Sequence, residues 1–540
     1  MLTVKAVHFF SNMKKITSSQ LIILAAIFLI TADNVTFFSK VTEVYPVNLK
    51  NLAFLGSLVL VFGSIPVLLF SLVCYKHTIK PVLIIILLAS SFAGYFMDSY
   101  NVIVDNVMIQ NIVNTDRAEA LDLISLKLIL YVTFLGIIPS LFVYNVKIAY
   151  EDRVREVVSR VKLFSLTLVT AISVVLIFGS FYASFFREHK PLRYYANPSS
   201  YLYAAAKYVH ATSKKDSLPL KQVGTDAKIP PTDMGRELII FVVGETARAD
   251  RFSLNGYKRE TNPLLKKEAV ISFSNFWACG TSTATSVPCM FSIYKESEYS
   301  DAKAQGTENL VDVLRHAGVT VLWLDNNSDS HGVALRVPYI NYKIPENNPI
   351  CDVECRDEGM LSHLQKYIDE HRNGDLFIVL HQMGNHGPAY YKRYPPAFEK
   401  FLPACRTNQL EDCTMDEIDN AYDNAILYTD YFLSRVIRLL KKNSAKFESA
   451  MFYVSDHGES LGENGVYLHG MPTFIAPDAQ RRIPAIMWFG KNFSEATASS
   501  LIKKKDKKYT HNNVFHTILG FMEIETSVYD KDLDIVHSTQ

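Results

Sequence analysis

The chain has 540 residues, with 55 Lys and Arg against 54 Asp and Glu, for a net charge of +1. That length accommodates two or three domains, and the absence of a global positive field excludes nucleic acid as a partner. The 49% hydrophobic content is unevenly spread: long apolar runs end near Phe186, and residues from about Met234 onward have a soluble domain's composition.

Five apolar segments, at residues 20–38, 52–74, 81–97, 123–144 and 163–182, approach the roughly 20 residues needed to cross a bilayer. The first is followed by four more and by no small-residue cleavage site, so it does not read as a signal peptide. Positive charge sets the orientation. Lys5, Lys14 and Lys15 precede the first segment, Lys76 and Lys80 follow the second, and Lys147, Arg153, Arg155, Arg160 and Lys162 follow the fourth. The alternate connections hold only Lys40 and Lys50, and Arg117 among Asp98, Asp105, Asp116 and Glu119. The N-terminus is therefore expected inside and the C-terminal domain outside. The expected layout is a five-helix transmembrane domain over 1–186, a linker with an interfacial helix over 187–236, and a catalytic domain over 237–540. Within the linker, 191–198 is Pro- and Tyr-rich and predicts extended chain, whereas 201–210 predicts a short helix with interfacial aromatics.

Cys74 falls in an apolar segment, and the other six cysteines lie in the C-terminal domain. Six cysteines allow many pairings. The simplest is local and in sequence order, Cys279 with Cys289, Cys351 with Cys355, and Cys405 with Cys413. Disulfides persist in an oxidising compartment, the side to which the charge rule assigns this domain. The alternative, a zinc cluster, lacks paired CxxC knuckles.

Past the linker, short apolar runs at 238–243, 319–324, 376–380, 450–454 and 484–489 alternate with helical stretches, clearest at 309–317 and 417–442. This pattern predicts a mostly parallel sheet covered by helices. Ligands gather beyond the carboxyl ends of such strands. The first run leads into Gly244-Glu245-Thr246, the second into Asp325-Asn326-Asn327-Ser328, the third into His381 and His386, and the fourth into Asp456-His457. Singly, such a Glu reads as a helix-cap neighbour and such a His as a surface or core residue. Together they supply oxygen and nitrogen donors suited to zinc. Between Cys279 and Cys289 stand five hydroxyls, on Thr281, Ser282, Thr283, Thr285 and Ser286. The segment predicts a turn into a helix near Ala284, with hydroxyls and N–H groups facing an anion. Alone it would be an ordinary capping loop; beside a metal, a hydroxyl becomes a candidate nucleophile. The lysine run at 503–508 reads as a solvated loop.

These residues resemble a known family, the lipid A phosphoethanolamine transferases, including the mobilised colistin-resistance enzymes. The likeness is carried by Val243-Gly244-Glu245-Thr246-Ala247-Arg248, Cys279-Gly280-Thr281-Ser282-Thr283-Ala284 and Asp325-Asn326-Asn327-Ser328-Asp329-Ser330. It continues through His381-Gln382-Met383-Gly384-Asn385-His386-Gly387-Pro388, Ser455-Asp456-His457-Gly458-Glu459-Ser460 and Tyr467-Leu468-His469-Gly470. The five spans and three local cysteine pairs match as well. The resemblance implies an alkaline-phosphatase or sulfatase-like α/β domain on an α-helical membrane domain, placed in a bacterial inner membrane with the catalytic domain periplasmic. It implies that Glu245, Thr283, Asp456 and His457 hold one Zn²⁺, with Thr283 as nucleophile rather than Thr281 or Thr285. It assigns His386 and His469 to phosphate contact, proton transfer or a second metal. Asn111, Thr115, Glu119 and Ser328 resemble positions near the lipid substrate. The implied reaction moves phosphoethanolamine from phosphatidylethanolamine to a lipid A phosphate and confers polymyxin resistance.

Two departures stand out. His331 occupies a position where the family often has lysine, so phosphate binding there is expected to be weaker or pH-dependent. The Cys351–Cys355 loop is also shorter than expected. The alternatives are a phosphoglycerol transferase or sulfatase-like phosphodiesterase, a non-catalytic lipid-binding sensor, and a transporter. The first is disfavoured by the extended Cys-Gly-Thr-Ser-Thr-Ala and His-Gly-Pro blocks, the second by the complete ligand set. The third is disfavoured by the lack of repeated halves and the few intramembrane charges.

Overall fold

A computed structural model describes residues 15–115, 117–213, 219–233, 235–493 and 495–537; Lys5, Lys14, Asp116 and the side chains of Arg117 and Glu119 lie outside the described residues. The chain divides into two compact units, Met1–Ile109 with Ile124–Tyr208, and Gln110–Leu123 with Val209–Gln540.

The first unit is helical: α1 (Ser18–Ala32), α2 (Val35–Val44), α3 (Leu49–Val73), α4 (Ile79–Tyr100), α5 (Leu126–Asn145), α6 (Arg153–Ile177) and α7 (Ser199–Ser213). Helices α3 to α6 are each long and apolar enough to cross a membrane, and α1 with α2 form a fifth candidate bent by 58°. The sequence predicts one unbroken segment there. The break falls at Asp33 and Asn34, where the Asp33 carbonyl accepts from Asn197 Nδ2 at 3.2 Å and the Asn34 amide is drawn to Asn197 as well. Asn34 Nδ2 donates to the carbonyls of Leu29 (2.8 Å) and Asn197 (2.7 Å), adding a second donor at Leu29, which also accepts from the Asp33 N–H at the end of α1. Helix α6 begins well before the predicted residue 163. Asp152 caps it, accepting from the backbone N–H of Val154 and Arg155 at 3.1 Å each, and Glu156 sits favourably in its first turn. The expectation of extended chain at 191–198 is corrected: Lys190–Tyr195 is a 3₁₀ helix. Pro191 stands in its first turn, where a fixed φ and missing N–H favour a helical start.

The second unit is built on an eight-stranded sheet of β1 (Glu237–Gly244), β2 (Ile271–Trp277), β3 (Thr320–Asp325), β4 (Tyr339–Asn341), β5 (Leu376–His381), β6 (Glu448–Ser455), β7 (Arg482–Phe489) and β8 (Tyr509–Thr510). The spatial order is β8-β2-β7-β6-β1-β5-β3-β4, and only β7 runs counter to the rest. Strands β1 and β5 are buried at every position, as their continuous apolar sequences require of central parallel strands.

Side chains alternate between two cores. One face presents Ile239, Phe241 and Val243, with Phe377, Val379, Phe452 and Val454, to α9 (Leu310–His316) and α11 (Asn512–Phe521). The other presents Leu238, Ile240 and Val242, with Ile378, Leu380 and Met451, to α10 (Met415–Asn443). Helix α10 begins where Thr414 and Glu417 form a capping box, and it buries Ile418, Tyr422, Ile426, Leu433, Ile437 and Leu440 at helical spacing. Phe241 packs against Phe291 and Phe452 with ring centroids 5.6 and 5.5 Å away; truncating it to Ala would cost about 3–5 kcal/mol. The parallel run of β1, β3, β5 and β6 brings four carboxyl ends to one edge of the sheet, where the site lies.

Candidate active site and metal centre

Glu245 follows β1 directly, and Asp456 and His457 follow β6, its neighbour. One ligand atom from each lies within 4.8 Å of the others, and all three residues are buried. Thr283 opens the short helix α8 (Thr283–Met290). Its Oγ1 lies 3.1 Å from Glu245 Oε2 and 3.3 Å from His457 Nε2. The neighbouring hydroxyls are placed differently. Thr281 Oγ1 donates to the Met471 carbonyl at 2.7 Å, and Thr285 Oγ1 is buried with no hydrogen-bond partner. Only Thr283 joins the acid and imidazole cluster. The Cys279–Cys289 disulfide closes the loop that carries it, and Cys351–Cys355 and Cys405–Cys413 form the other two local pairs.

The backbone around Glu245 is tightly fixed. Thr246 adopts φ +54°, an uncommon left-handed conformation for a β-branched residue. Tyr422 holds it there by donating its hydroxyl to the Thr246 carbonyl at 2.7 Å. Gly384, at φ +50°, passes so close that a Cβ would come within 2.8 Å of the Glu245 carbonyl oxygen, so no larger residue fits. Asn327 Nδ2 donates to Glu245 Oε2 at 2.8 Å and to the Gln382 carbonyl at 2.7 Å, linking the end of β3 to the centre.

The donor chemistry fits a zinc ion. Asp456 uses Oδ1 to accept from the N–H groups of Thr246 (3.1 Å) and His457 (2.6 Å), while its Oδ2 is buried without a hydrogen bond. His457 Nδ1 lies 2.8 Å from the Gly458 carbonyl, which fixes Nδ1 as the protonated nitrogen and leaves Nε2 with a free lone pair. Burial, reinforced by nearby His469, pushes the His457 pKa down to about 3, so the imidazole is neutral. Burial pushes the Asp456 carboxyl pKa up, against the hydrogen bonds and His381, which lower it. Two carboxylates, one neutral imidazole and one hydroxyl make a four-donor set of the type zinc prefers.

Two further histidines border this cluster. The His469 ring centroid is 4.3 Å from that of His457 and 5.8 Å from that of His386. Burial opposes a charge on His469, but Glu459, whose Oε1 lies 3.2 Å from Nδ1, helps push its pKa up to about 9. Burial takes His386 the other way, down to about 3, and its Nδ1 is buried without a partner. The two rings thus differ in protonation at neutral pH. Ser328 and His331 lie together at the end of β3, Ser328 Oγ being 3.3 Å from His331 Nε2. Burial and the adjacent His381 hold the His331 pKa below its usual value, so its ring is neutral at pH 7.

Thr115 caps back onto the Asn111 carbonyl at 2.7 Å, and both belong to residues 110–123, which cluster with the second unit. That segment is anchored through Asp122, which pairs with Lys392 and lies 3.3 Å from Arg393 Nη2. The side chain of Glu119 lies outside the described residues.

Residues 237–524 match the family described as Sulfatase, and residues 62–213 match Phosphoethanolamine transferase EptA/EptB. Phosphatidylethanolamine transferase Mcr-2 of Escherichia coli is 43% identical over 513 residues, covering 93% of this chain and 94% of that one. The chain belongs to the phosphoethanolamine transferase family. Phosphoethanolamine transferase EptA of E. coli K12 is 38% identical, with 96% of each chain covered. Among solved structures, the integral membrane protein lipooligosaccharide phosphoethanolamine transferase A from Neisseria meningitidis matches 97% of this chain and 99% of its own, at a TM-score of 0.92 and 34% identity.

As a family member, the chain also shows positioning residues that its sequence did not single out. Asp357 accepts from Asn326 Nδ2 (2.8 Å), Met383 N (2.8 Å) and Gly384 N (3.1 Å), fixing the turn that leads to His386. Arg393 donates from Nε to the His386 carbonyl at 2.6 Å and pairs with Glu354. Glu459 carried a signal, its place inside the Asp-His-Gly-Glu block; Asp357 and Arg393 carried none.

Proposed function

We propose that this chain transfers phosphoethanolamine from phosphatidylethanolamine to a lipid A phosphate, through a covalent intermediate on Thr283. The observation that carries the reading is the convergence of Thr283 Oγ1 with Glu245, Asp456 and His457 at the carboxyl edge of a sulfatase-type sheet. The catalytic domain is read as periplasmic and the N-terminus as cytoplasmic, on the strength of the lysine and arginine distribution.

Glu245, Asp456, His457 and Thr283 are the residues that would hold a zinc ion, which when bound lowers the pKa of a coordinated hydroxyl. Thr283 Oγ1 gives up its hydroxyl proton, for which Glu245 Oε2 is the acceptor at 3.1 Å, and bonds to phosphorus as the bond to the glycerol oxygen breaks; diacylglycerol leaves after gaining a proton, and Thr283 regains its own on release. His469 suits that proton's delivery, since it is charged at neutral pH and its Nδ1 is engaged by Glu459, leaving Nε2 for substrate. A lipid A phosphate oxygen then attacks the phosphorus and releases Thr283. His386, neutral and with Nδ1 unpartnered, suits acceptance of a hydrogen bond from the ethanolamine head group or the protonated acceptor phosphate. Asn111, Thr115 and Glu119 are read as contacts for the lipid, and Ser328 and His331 as contacts for phosphate.

The added ammonium reduces the net negative charge that polycationic peptides recognise, so the expected cellular effect is polymyxin tolerance. The test is lipid A mass spectrometry together with the inhibitory concentration of polymyxin in a susceptible Gram-negative host. Phosphoethanolamine-modified lipid A and raised tolerance are expected with this chain, and neither with Glu245→Ala. Equal tolerance with the Glu245→Ala protein would show that resistance does not come from this chemistry.

A further inference from the structure

At the opposite, amino-terminal edge of the same sheet, three adjacent strands each start with an acid. Glu237 opens β1, Glu448 opens β6, and Asp375 immediately precedes β5. Glu237 and Glu448 are register partners, an arrangement in which like charges destabilise a strand pair. Asp233 joins them from the segment leading into β1, with one oxygen each of Asp233, Glu237 and Asp375 lying within 4.8 Å of one another. Electrostatically, Glu523 is coupled to the same group.

No lysine or arginine among the described residues forms an ion pair with any of these five acids. The nearest arginine in sequence, Arg236, is committed elsewhere. Its guanidinium donates to the carbonyls of Gly374 (2.9 and 2.6 Å) and His371 (3.2 Å), and lies over the Phe447 ring at 4.3 Å. His537, the other basic group facing Glu523, is 2.8 Å from Asp534.

Two observations independent of the acid count point to a ligand. Glu237 is only 3% exposed, yet its Oε2 is buried with no hydrogen-bond partner. An unpartnered carboxylate oxygen in that position is costly unless something neutralises it. The second observation is a small cradle beside Gly235. A Cβ built there would sit 3.1 Å from Glu237 Oε1 and 3.4 Å from both Asp233 Oδ1 and Glu448 Oε1. Three carboxylate oxygens from three residues therefore surround one point that glycine leaves open.

We propose that Asp233, Glu237, Asp375 and Glu448 form a second metal site, for a hard divalent cation of the calcium and magnesium class. All-oxygen, carboxylate-rich surroundings select hard cations over zinc, which separates this site from the imidazole-containing one at the other end of β1. The cation bridges the starts of β6, β1 and β5 and ties the entering segment to them through Asp233. Its role is structural, neutralising a row of like charges of which Glu237 and Asp375 are buried and Asp233 and Glu448 half-buried. Burial first, and then Asp375, which also hydrogen-bonds to the Glu237 side chain, push the Glu237 pKa up to about 9, so a bound cation takes the place of that proton.

The test uses the full-length protein in detergent, with zinc held at a constant saturating level. Its thermal unfolding is followed while calcium or magnesium is varied from zero to about 10 mM, a range that spans weak extracellular calcium sites. The unfolding midpoint should rise continuously with one or both ions, as expected when a ligand binds only the folded state. Glu237→Gln should abolish that rise. In cation-free buffer Glu237→Gln should also unfold no earlier than the parent protein, because the amide, like the carboxyl that holds its proton to about pH 9, carries no charge. Should Glu237→Gln not accumulate, Glu448→Gln, which is only half-buried, carries the same test. A parent midpoint that ignores both ions, or a full response retained by the variant, would overturn the site. Because the readout is unfolding at fixed zinc, this result is separable from any failure of the transferase reading.

Discussion

Asn327→Ala isolates how much of the metal centre's affinity depends on a residue that does not itself bind the ion. Asn327 is buried, and its Nδ2 donates 2.8 Å to Glu245 Oε2 and 2.7 Å to the Gln382 carbonyl. The first is a hydrogen bond to a carboxylate, a class worth about 1.5–3 kcal/mol. At about 1.4 kcal/mol per factor of ten, its loss should weaken zinc binding by roughly 10- to 100-fold. Losses of that size are typical of outer-shell partners. The assay is zinc competition against a chromogenic chelator, paired with transferase rate as a function of free zinc. The half-saturating zinc concentration should rise by that factor, while the rate at saturating zinc stays within a few-fold of the parent. Unchanged zinc affinity with a collapsed rate would exclude a metal-supporting role and place Asn327 on the substrate instead.

His331→Lys replaces a ring held neutral by burial and His381 with a fixed charge; KM for the lipid donor at pH 7.5 should fall or hold steady, and a several-fold rise would argue against phosphate contact there. Burial pushes His516 down to about 4, where it stays neutral and accepts from the Asp530 N–H at 3.1 Å. The unfolded chain takes up a proton near pH 6.5, so the contribution of His516 is fully present above that pH and is lost as pH falls toward 4. His516→Asn keeps an acceptor without titrating, and should flatten the dependence of the urea midpoint between pH 7 and pH 4.5; an identical slope would exclude His516 as a source. Replacing Cys279 and Cys289 together by Ala frees the loop bearing Thr283, and should cost about 2–3 kcal/mol in urea unfolding. Free thiols at all six paired positions in unreduced peptide maps would instead contradict the extracytoplasmic placement.

The central strands were legible because a strand buried on both faces reads as an unbroken apolar run, as in Leu238 to Val243 and Leu376 to Leu380. Strand β2 was not: Ser272, Ser274 and Asn275 interrupt its apolar residues, and its outer neighbour β8 is only two residues long. The reversed direction of β7 was also hidden, since periodicity carries no sense of chain direction. The break between α1 and α2 depends on Asn197, far away in sequence, whose carbonyl accepts from Asn34. Glu245, Asp456 and His457 could be picked out because polar residues at the carboxyl ends of apolar strands have few packing roles. Asp357 and Arg393 act by holding backbone groups near His386, a role that leaves no local pattern. The acids at the other edge of the sheet were equally silent, because Asp233, Asp375 and Glu448 each read as an ordinary solvated residue until the strands align them.

The proposed transfer requires Thr283 to carry the phosphoethanolamine group between donor and acceptor. It is tested most directly by incubating the purified full-length protein with phosphatidylethanolamine and no lipid A, then mapping peptides by mass spectrometry. The peptide containing Cys279 to Cys289 should gain one phosphoethanolamine on Thr283, and lose it when lipid A is added. Modification on Thr281 or Thr285, or full transfer by a Thr283→Ala protein, would contradict it.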